Sequence, residues 1–182
     1  MAGSAADALM SVTSDILRSW HSPRLVMRAR LSQGVREDRA LAVLLCACLM
    51  MFIAQWPGLA RAAQGAPDVP LQARLGGALL ATMFLLPLVF YVLAGLSQIV
   101  LRVFVGPVSA FSARFALFWS LLALSPAVLM QGLYVGLIGP GQGSFISGLL
   151  VLLAFALLWM AALREVVAQR SRADLTTHTT TP

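Results

Sequence analysis

The sequence predicts an all-α, polytopic membrane helix bundle of about four transmembrane helices, with an amphipathic cytoplasmic N-terminal segment. Two observations predict this class. The chain has 182 residues, of which 59% are hydrophobic and only 11% are charged, whereas a soluble domain averages about 25% charged residues. Four stretches also reach the roughly 20 mostly apolar residues that a spanning helix needs. Soluble core helices of this length would not be apolar on every face.

Residues 1–39 form the predicted cytoplasmic segment, which contains two short amphipathic helices. In the first helix, apolar side chains recur along one face as far as Trp20. Ser22-Pro23 resembles an N-cap followed by proline at the first helical position, so a second helix is expected to begin there. Met10 is an alternative start, because residues 1–9 carry no structural signal.

Two interpretations of this amphipathic segment stay open. In the first, it is an interfacial helix pair that binds anionic headgroups, with Trp20 inserted among the acyl chains and Arg24, Arg28 and Arg30 at the membrane surface. In the second, the same apolar stripe packs on the protein's own helices. Amphipathic geometry serves both uses.

The predicted transmembrane bundle covers residues 40–164, with spans at about 40–60, 75–98, 115–138 and 145–163. A fifth span is the alternative to this count. Residues 165–182 form a polar cytoplasmic tail, which we expect to be disordered from Ser171 onward. The glycine-rich stretch at 139–143 predicts a tight turn that joins the third and fourth spans into an antiparallel hairpin.

Prolines and glycines inside the spans predict how the helices pack. Pro87 and Pro126 each remove a backbone hydrogen bond and should kink the second and third spans. Gly132 and Gly136 form a small-xxx-small face that allows close helix approach. That face serves packing within the bundle or a homodimer.

Arginine placement predicts the orientation. All 13 basic residues are Arg, because the chain contains no Lys. With four spans, only Arg61 and Arg74 lie on one side of the membrane and the other eleven share the opposite side. Since basic residues are retained in the cytoplasm, both termini should be cytoplasmic. The composition suggests the inner membrane of a bacterium.

The sequence contains few residues that could form a catalytic, metal-binding or ion-coupling site. No acidic residue lies between Asp68 and Glu165, although coupled transporters usually place carboxylates or His inside the bundle. Cys46 and Cys48 point about 200° apart on a helix and cannot share a metal. We therefore expect no catalytic or metal site, no cofactor and no nucleic-acid binding.

The whole pattern resembles a bacterial-type Yip1-domain protein over about residues 16–168. The resemblance rests on Ser22–Met27, Arg36–Ala40, Gln55–Pro57, Gly76–Ala78, Phe111–Trp119 and Ile138–Gly141. It implies a small multi-span membrane protein of a family linked in eukaryotes to vesicle trafficking, small-GTPase interaction and membrane shaping. This chain has four predicted spans where five are common, and no functional residue transfers.

These observations favour a non-enzymatic membrane protein that acts as a scaffold, accessory subunit or membrane-organising factor, with a membrane-protein partner or a second copy. The alternative is a small channel or transporter without a carboxylate-coupled ion site. Its pathway would follow the kinked second and third spans. Its polar lining would be Ser97, Gln98, Ser125 and Gln131.

Overall fold

The computed structural model describes residues 14–20, 22–31, 37–66, 68–104, 106 and 109–179, which contain helices and no strand. Residues 14–20 are helical and are labelled α1. The helices that follow are α2 (Pro23–Leu31), α3 (Glu37–Gly65), α4 (Leu71–Leu80), a π-helical turn (Ala81–Leu85), α5 (Leu86–Phe104), α6 (Ala110–Ala123), α7 (Ser125–Ile138) and α8 (Gln142–Thr179).

The long apolar helices confirm the all-α membrane bundle. Three continuous helical stretches are long and apolar enough to cross a bilayer, and these are Glu37–Gly65, Leu71–Val103 and Gln142–Gln169. Helices α6 and α7 pass the same test as a pair bent by 44°, which makes up to four spans. The bend falls directly before Pro126, which lacks an N–H and whose ring clashes with the preceding helical turn.

Three helices continue beyond the predicted ends of their spans. Helix α5 runs to Phe104, although the second span was expected to stop near residue 98. The first span was expected to stop near residue 60, but α3 runs through Pro57 to Gly65, because neighbouring helices can compensate for a proline within a membrane helix. The expected disorder from Ser171 is wrong as far as Thr179, where α8 ends. Extending an existing helix avoids the cost of nucleation. Residues 180–182 lie outside the described part.

Helix α3 and the α6–α7 pair run side by side in the same direction. At one end, Arg114 Nη2 and Glu37 Oε1 form an ion pair of 2.6 Å. Further along, Gly132 lies against Ala54. We call the end with Glu37 the charged end, and the opposite end, where the turn at residues 139–141 joins α7 to α8, the turn end. Helix α8 returns antiparallel to α7, as predicted.

The core surrounds α6, in which every residue from Phe115 to Ala123 is buried. Helices α3, α5 and α8 pack around it. Three of its rings stack in a row, since Phe115 lies 5.7 Å from Phe111 and 6.3 Å from Trp119 between ring centroids. Helix α7, by contrast, buries only Ser125. The charged-end half of the bundle is therefore the more densely packed half.

Candidate functional site

The N-terminal segment, residues 14–31, docks on the charged-end half of the bundle. Trp20 Nε1 donates a hydrogen bond of 2.9 Å to the carbonyl oxygen of Ala123. In an unbroken helix that oxygen would accept from the N–H of Ala127, which here donates to Leu124 instead. The indole therefore satisfies a carbonyl that the α6–α7 break releases. Unpaired backbone groups are costly inside a bilayer.

A second polar contact holds α1 against α6. Ser19 is 1% exposed, and its hydroxyl accepts a hydrogen bond of 3.1 Å from Trp119 Nε1. The same hydroxyl donates to the carbonyl oxygen of Asp15 at 2.7 Å. Both buried polar groups thus have partners, as buried groups require.

Helix α2 begins at Pro23, as the Ser-Pro pattern predicts, and packs mainly against α8. Its apolar face buries Val26 and Met27 in the core. Arg28 Nε donates to Glu165 Oε1 at 2.9 Å, and the Glu165 side chain is only 4% exposed. The stripe therefore packs on the protein's own bundle at these positions, which is the second of the two interpretations.

Part of the apolar stripe stays on the surface. Leu17, Trp20 and Leu25 are 68%, 44% and 63% exposed. They line an open groove of about 830 Å³ between the N-terminal segment and Pro126. The segment is thus anchored on one side and presents large apolar side chains on the other.

The predicted headgroup-binding residues have different surroundings. Arg24 is exposed. Arg28 is half exposed and pairs with Glu165. Arg30 lies in α2, but its side chain is outside the described part of the structure. Contact between these arginines and anionic headgroups stays a prediction.

The predicted packing glycines face α3 of the same chain. A Cβ at Gly132 would overlap the Ala54 carbonyl group and lie 2.6 Å from its carbon. One at Gly136 would overlap Pro57 in the same way. Pro126 begins α7 at the bend, while Pro87 follows the π-helical turn inside the second span.

The polar residues expected to line a channel do not share one cavity. Ser97 donates to the Leu93 carbonyl and lines a cavity of about 200 Å³ between α5 and α8. Gln131 lines a separate groove of about 400 Å³ between α3 and α7. Ser125 is buried and Gln98 is half-buried. This arrangement gives no support to a single pathway past all four.

Sequence reasoning missed a polar pair that links the first two spans. Gln55 Nε2 donates to Thr82 Oγ1 at 3.1 Å, and Thr82 Oγ1 donates to the Ala78 carbonyl at 2.7 Å. Thr82 is 3% exposed and lies in the π-helical turn. The only available signal was a polar residue inside each apolar stretch, and Thr82 is one of several in the second.

The two arginines at the turn end bind backbone carbonyls. Arg61 Nη1 donates to Leu137 at 2.8 Å and to Gly136 at 3.2 Å, which caps the C-terminus of α7 where a cation is favourable. Arg74 bonds to the carbonyls of Val69 and Ala66, each at 3.1 Å. Arg61 and Arg74, the two arginines predicted to lie outside the cytoplasm, therefore both have hydrogen-bond partners in the protein.

No protein-family model, curated protein or solved structure matches the chain. The resemblance to the Yip1-domain family accordingly stays a prediction. In the residues that the structure describes, no three His, Cys, Asp or Glu side chains lie close enough to hold a metal ion.

Proposed function

We propose that this chain is a non-enzymatic scaffold or membrane-organising protein of the Yip1-like kind, located in an inner membrane with both termini cytoplasmic. The observation that carries this proposal is the docked N-terminal segment. It is fixed by Trp20 and Arg28 and still exposes Leu17 and Leu25. An apolar surface held by these contacts beside Arg24 suits both anionic lipid and a membrane-protein partner.

The depth of this surface supports a position inside the cytoplasmic leaflet. Ala123 lies about 14 Å along α6 from Arg114, at 1.5 Å per residue. The Trp20 contact therefore lies near the middle of the α6–α7 pair, whereas the Arg28–Glu165 pair lies at the charged end. A segment that reaches from one to the other meets acyl chains at its inner end and headgroups at its outer end.

Site-specific photo-crosslinking tests the scaffold proposal. A photoreactive amino acid at Leu25 should capture discrete membrane proteins or a second copy of the chain. Leu88 on α5 is the matched control, because the two side chains are 63% and 62% exposed. Identical capture from both positions, or no protein captured at Leu25, would contradict the proposal.

Lipid retention tests the headgroup contact separately. Arg24→Gln should reduce the anionic phospholipid that co-purifies in mild detergent, measured by native mass spectrometry. Arg102→Gln is the control, since Arg102 is also exposed near the charged end but lies on α5. Equal retention by both variants would count against a specific role for Arg24.

A further inference from the structure

A second groove lies on the other half of the bundle, far from the N-terminal segment. Its volume is about 400 Å³, within the range typical of small-molecule sites. Its lining comes from α3, α5 and α7, and the residues used below are Gln55, Leu86, Gln131 and Gly132. Gly132 and Ala54, where α3 and α7 touch, both belong to this lining.

The two glutamines lie within the hydrocarbon region of the proposed spans. Gln55 is six residues before Arg61, or about 9 Å along α3, and Gln131 is about 10 Å from the end of α7 at Ile138. Ile53 and Leu133, two residues away on the opposite face of each helix, are exposed and apolar. An amide at this depth is costly unless it has hydrogen-bond partners.

The amide nitrogens have protein partners, but the amide oxygens do not. Gln55 Nε2 donates to Met51 and Thr82 at 3.2 and 3.1 Å. Gln131 Nε2 donates to the Ser144 carbonyl at 2.9 Å. Within the described residues, neither Oε1 atom accepts a hydrogen bond. Two residues that line the groove, Gln55 and Gln131, therefore keep hydrogen-bonding capacity: an acceptor on each and the second N–H of Gln131.

The unpaired amide oxygens favour a ligand that can donate a hydrogen bond. A hydroxyl group can donate to a glutamine oxygen and can also accept from the remaining N–H. An ether or ester lacks the donor and would leave both oxygens unpaired. The groove lies within the proposed spans, so a ligand would enter it from the bilayer. The π-helical turn next to Leu86 fits this assignment, since such turns are frequent at functional sites.

We propose that this groove binds a membrane lipid alcohol. Its hydroxyl group would donate to Gln55 or Gln131, and its chain would lie along the groove, beside the α3–α7 contact. This site is independent of the N-terminal segment, so it can fail or succeed without affecting the scaffold proposal.

Photo-labelling in nanodiscs tests the proposal with two probes, a hexadecanol that carries a diazirine in its chain and the methyl ether of the same molecule. With the wild-type protein, the alcohol should label peptides around residues 51–59 and 128–135 about threefold to tenfold more than the ether, as expected for one or two net hydrogen bonds. Labelling is measured by peptide mass spectrometry. Equal labelling by both probes would overturn the proposal.

Variants test whether Gln55 and Gln131 bind the hydroxyl group. Gln55→Leu combined with Gln131→Leu should reduce alcohol labelling to the level of the ether. Gln98→Leu is the control, because Gln98 is a half-buried glutamine on α5 outside this groove. Unchanged labelling of the double variant would refute the assignment. If that variant does not fold, the ratio of the two probes on the wild-type protein decides the question alone.

Discussion

At the residue scale, Trp20 performs two tasks at the α6–α7 break. Its N–H satisfies the Ala123 carbonyl, while its ring is 44% exposed beside the groove. The sequence predicts an amphipathic role for Trp20, since an apolar stripe ends there. It cannot predict the Ala123 contact, because the partner lies 103 residues away and is a backbone atom without a side-chain signature.

Trp20→Phe should destabilise the protein by about 1–2 kcal/mol, because it leaves the Ala123 carbonyl without its donor in an apolar environment. Unfolding by SDS titration of the detergent-solubilised protein measures this loss. Trp56→Phe is the control, since Trp56 is 49% exposed and contacts the Phe52 ring. A loss of the same size in both variants would show that ring size, rather than the indole N–H, matters.

The Arg28–Glu165 and Arg114–Glu37 ion pairs should differ in their contribution to the free energy of unfolding. Arg28→Gln leaves the Glu165 carboxylate, which is 4% exposed, without this partner, and we expect a loss of about 1–3 kcal/mol. Arg114→Gln affects Glu37, whose side chain is 51% exposed. A surface pair typically contributes less than about 1 kcal/mol. The same SDS titration should rank the variants in this order, and the reverse ranking would contradict the structure.

At the element scale, hydropathy is sufficient to predict the spans but not how they end. Helix α3 passes through Pro57 and α8 continues through a Thr-rich segment to Thr179, where composition alone suggests a stop. Both extensions depend on a neighbouring helix or on a helix already formed. The π-helical turn at Ala81–Leu85 also escaped prediction, because no residue type specifies it.

Two glycine substitutions should have opposite effects on helix packing. Gly132→Ala introduces a methyl group that overlaps the Ala54 backbone, so α3 and α7 must separate at a cost of about 1–3 kcal/mol. Gly95→Ala has open space around the new methyl group and should stabilise α5 by up to about 1 kcal/mol. SDS titration of each variant measures both changes in the free energy of unfolding. Two losses of equal size would show that the α3–α7 contact is not close.

At the scale of the whole molecule, arginine placement predicts that residue 68 is outside and residue 109 is inside. In a variant with Cys46→Ala and Cys48→Ala, we expect a membrane-impermeant maleimide to label Asp68→Cys on intact spheroplasts. Ser109→Cys should react only after permeabilisation. Both positions are exposed, so accessibility of the side chain is matched. The opposite labelling pattern would reverse the orientation.

The global arrangement was only partly predictable. Apolar run lengths predict the spans, and Gly139–Gly141 predicts the α7–α8 hairpin. The docking of residues 14–31 could not be chosen over an interfacial position, because the same stripe of apolar residues fits both surfaces. Gln55 and Gln131 are likewise visible in the sequence, but their shared groove depends on the register of α3 against α7.

The uneven burial along the α6–α7 pair has a mechanical consequence. The N-terminal segment adds its cross-section to the half of the bundle that contains α6, while the half that contains α7 has no such addition in the described structure. In the orientation proposed above, this added cross-section would displace more lipid area from the cytoplasmic leaflet than from the opposite one. For the proposed membrane-organising role, it predicts that many copies side by side bend the bilayer toward the narrower end.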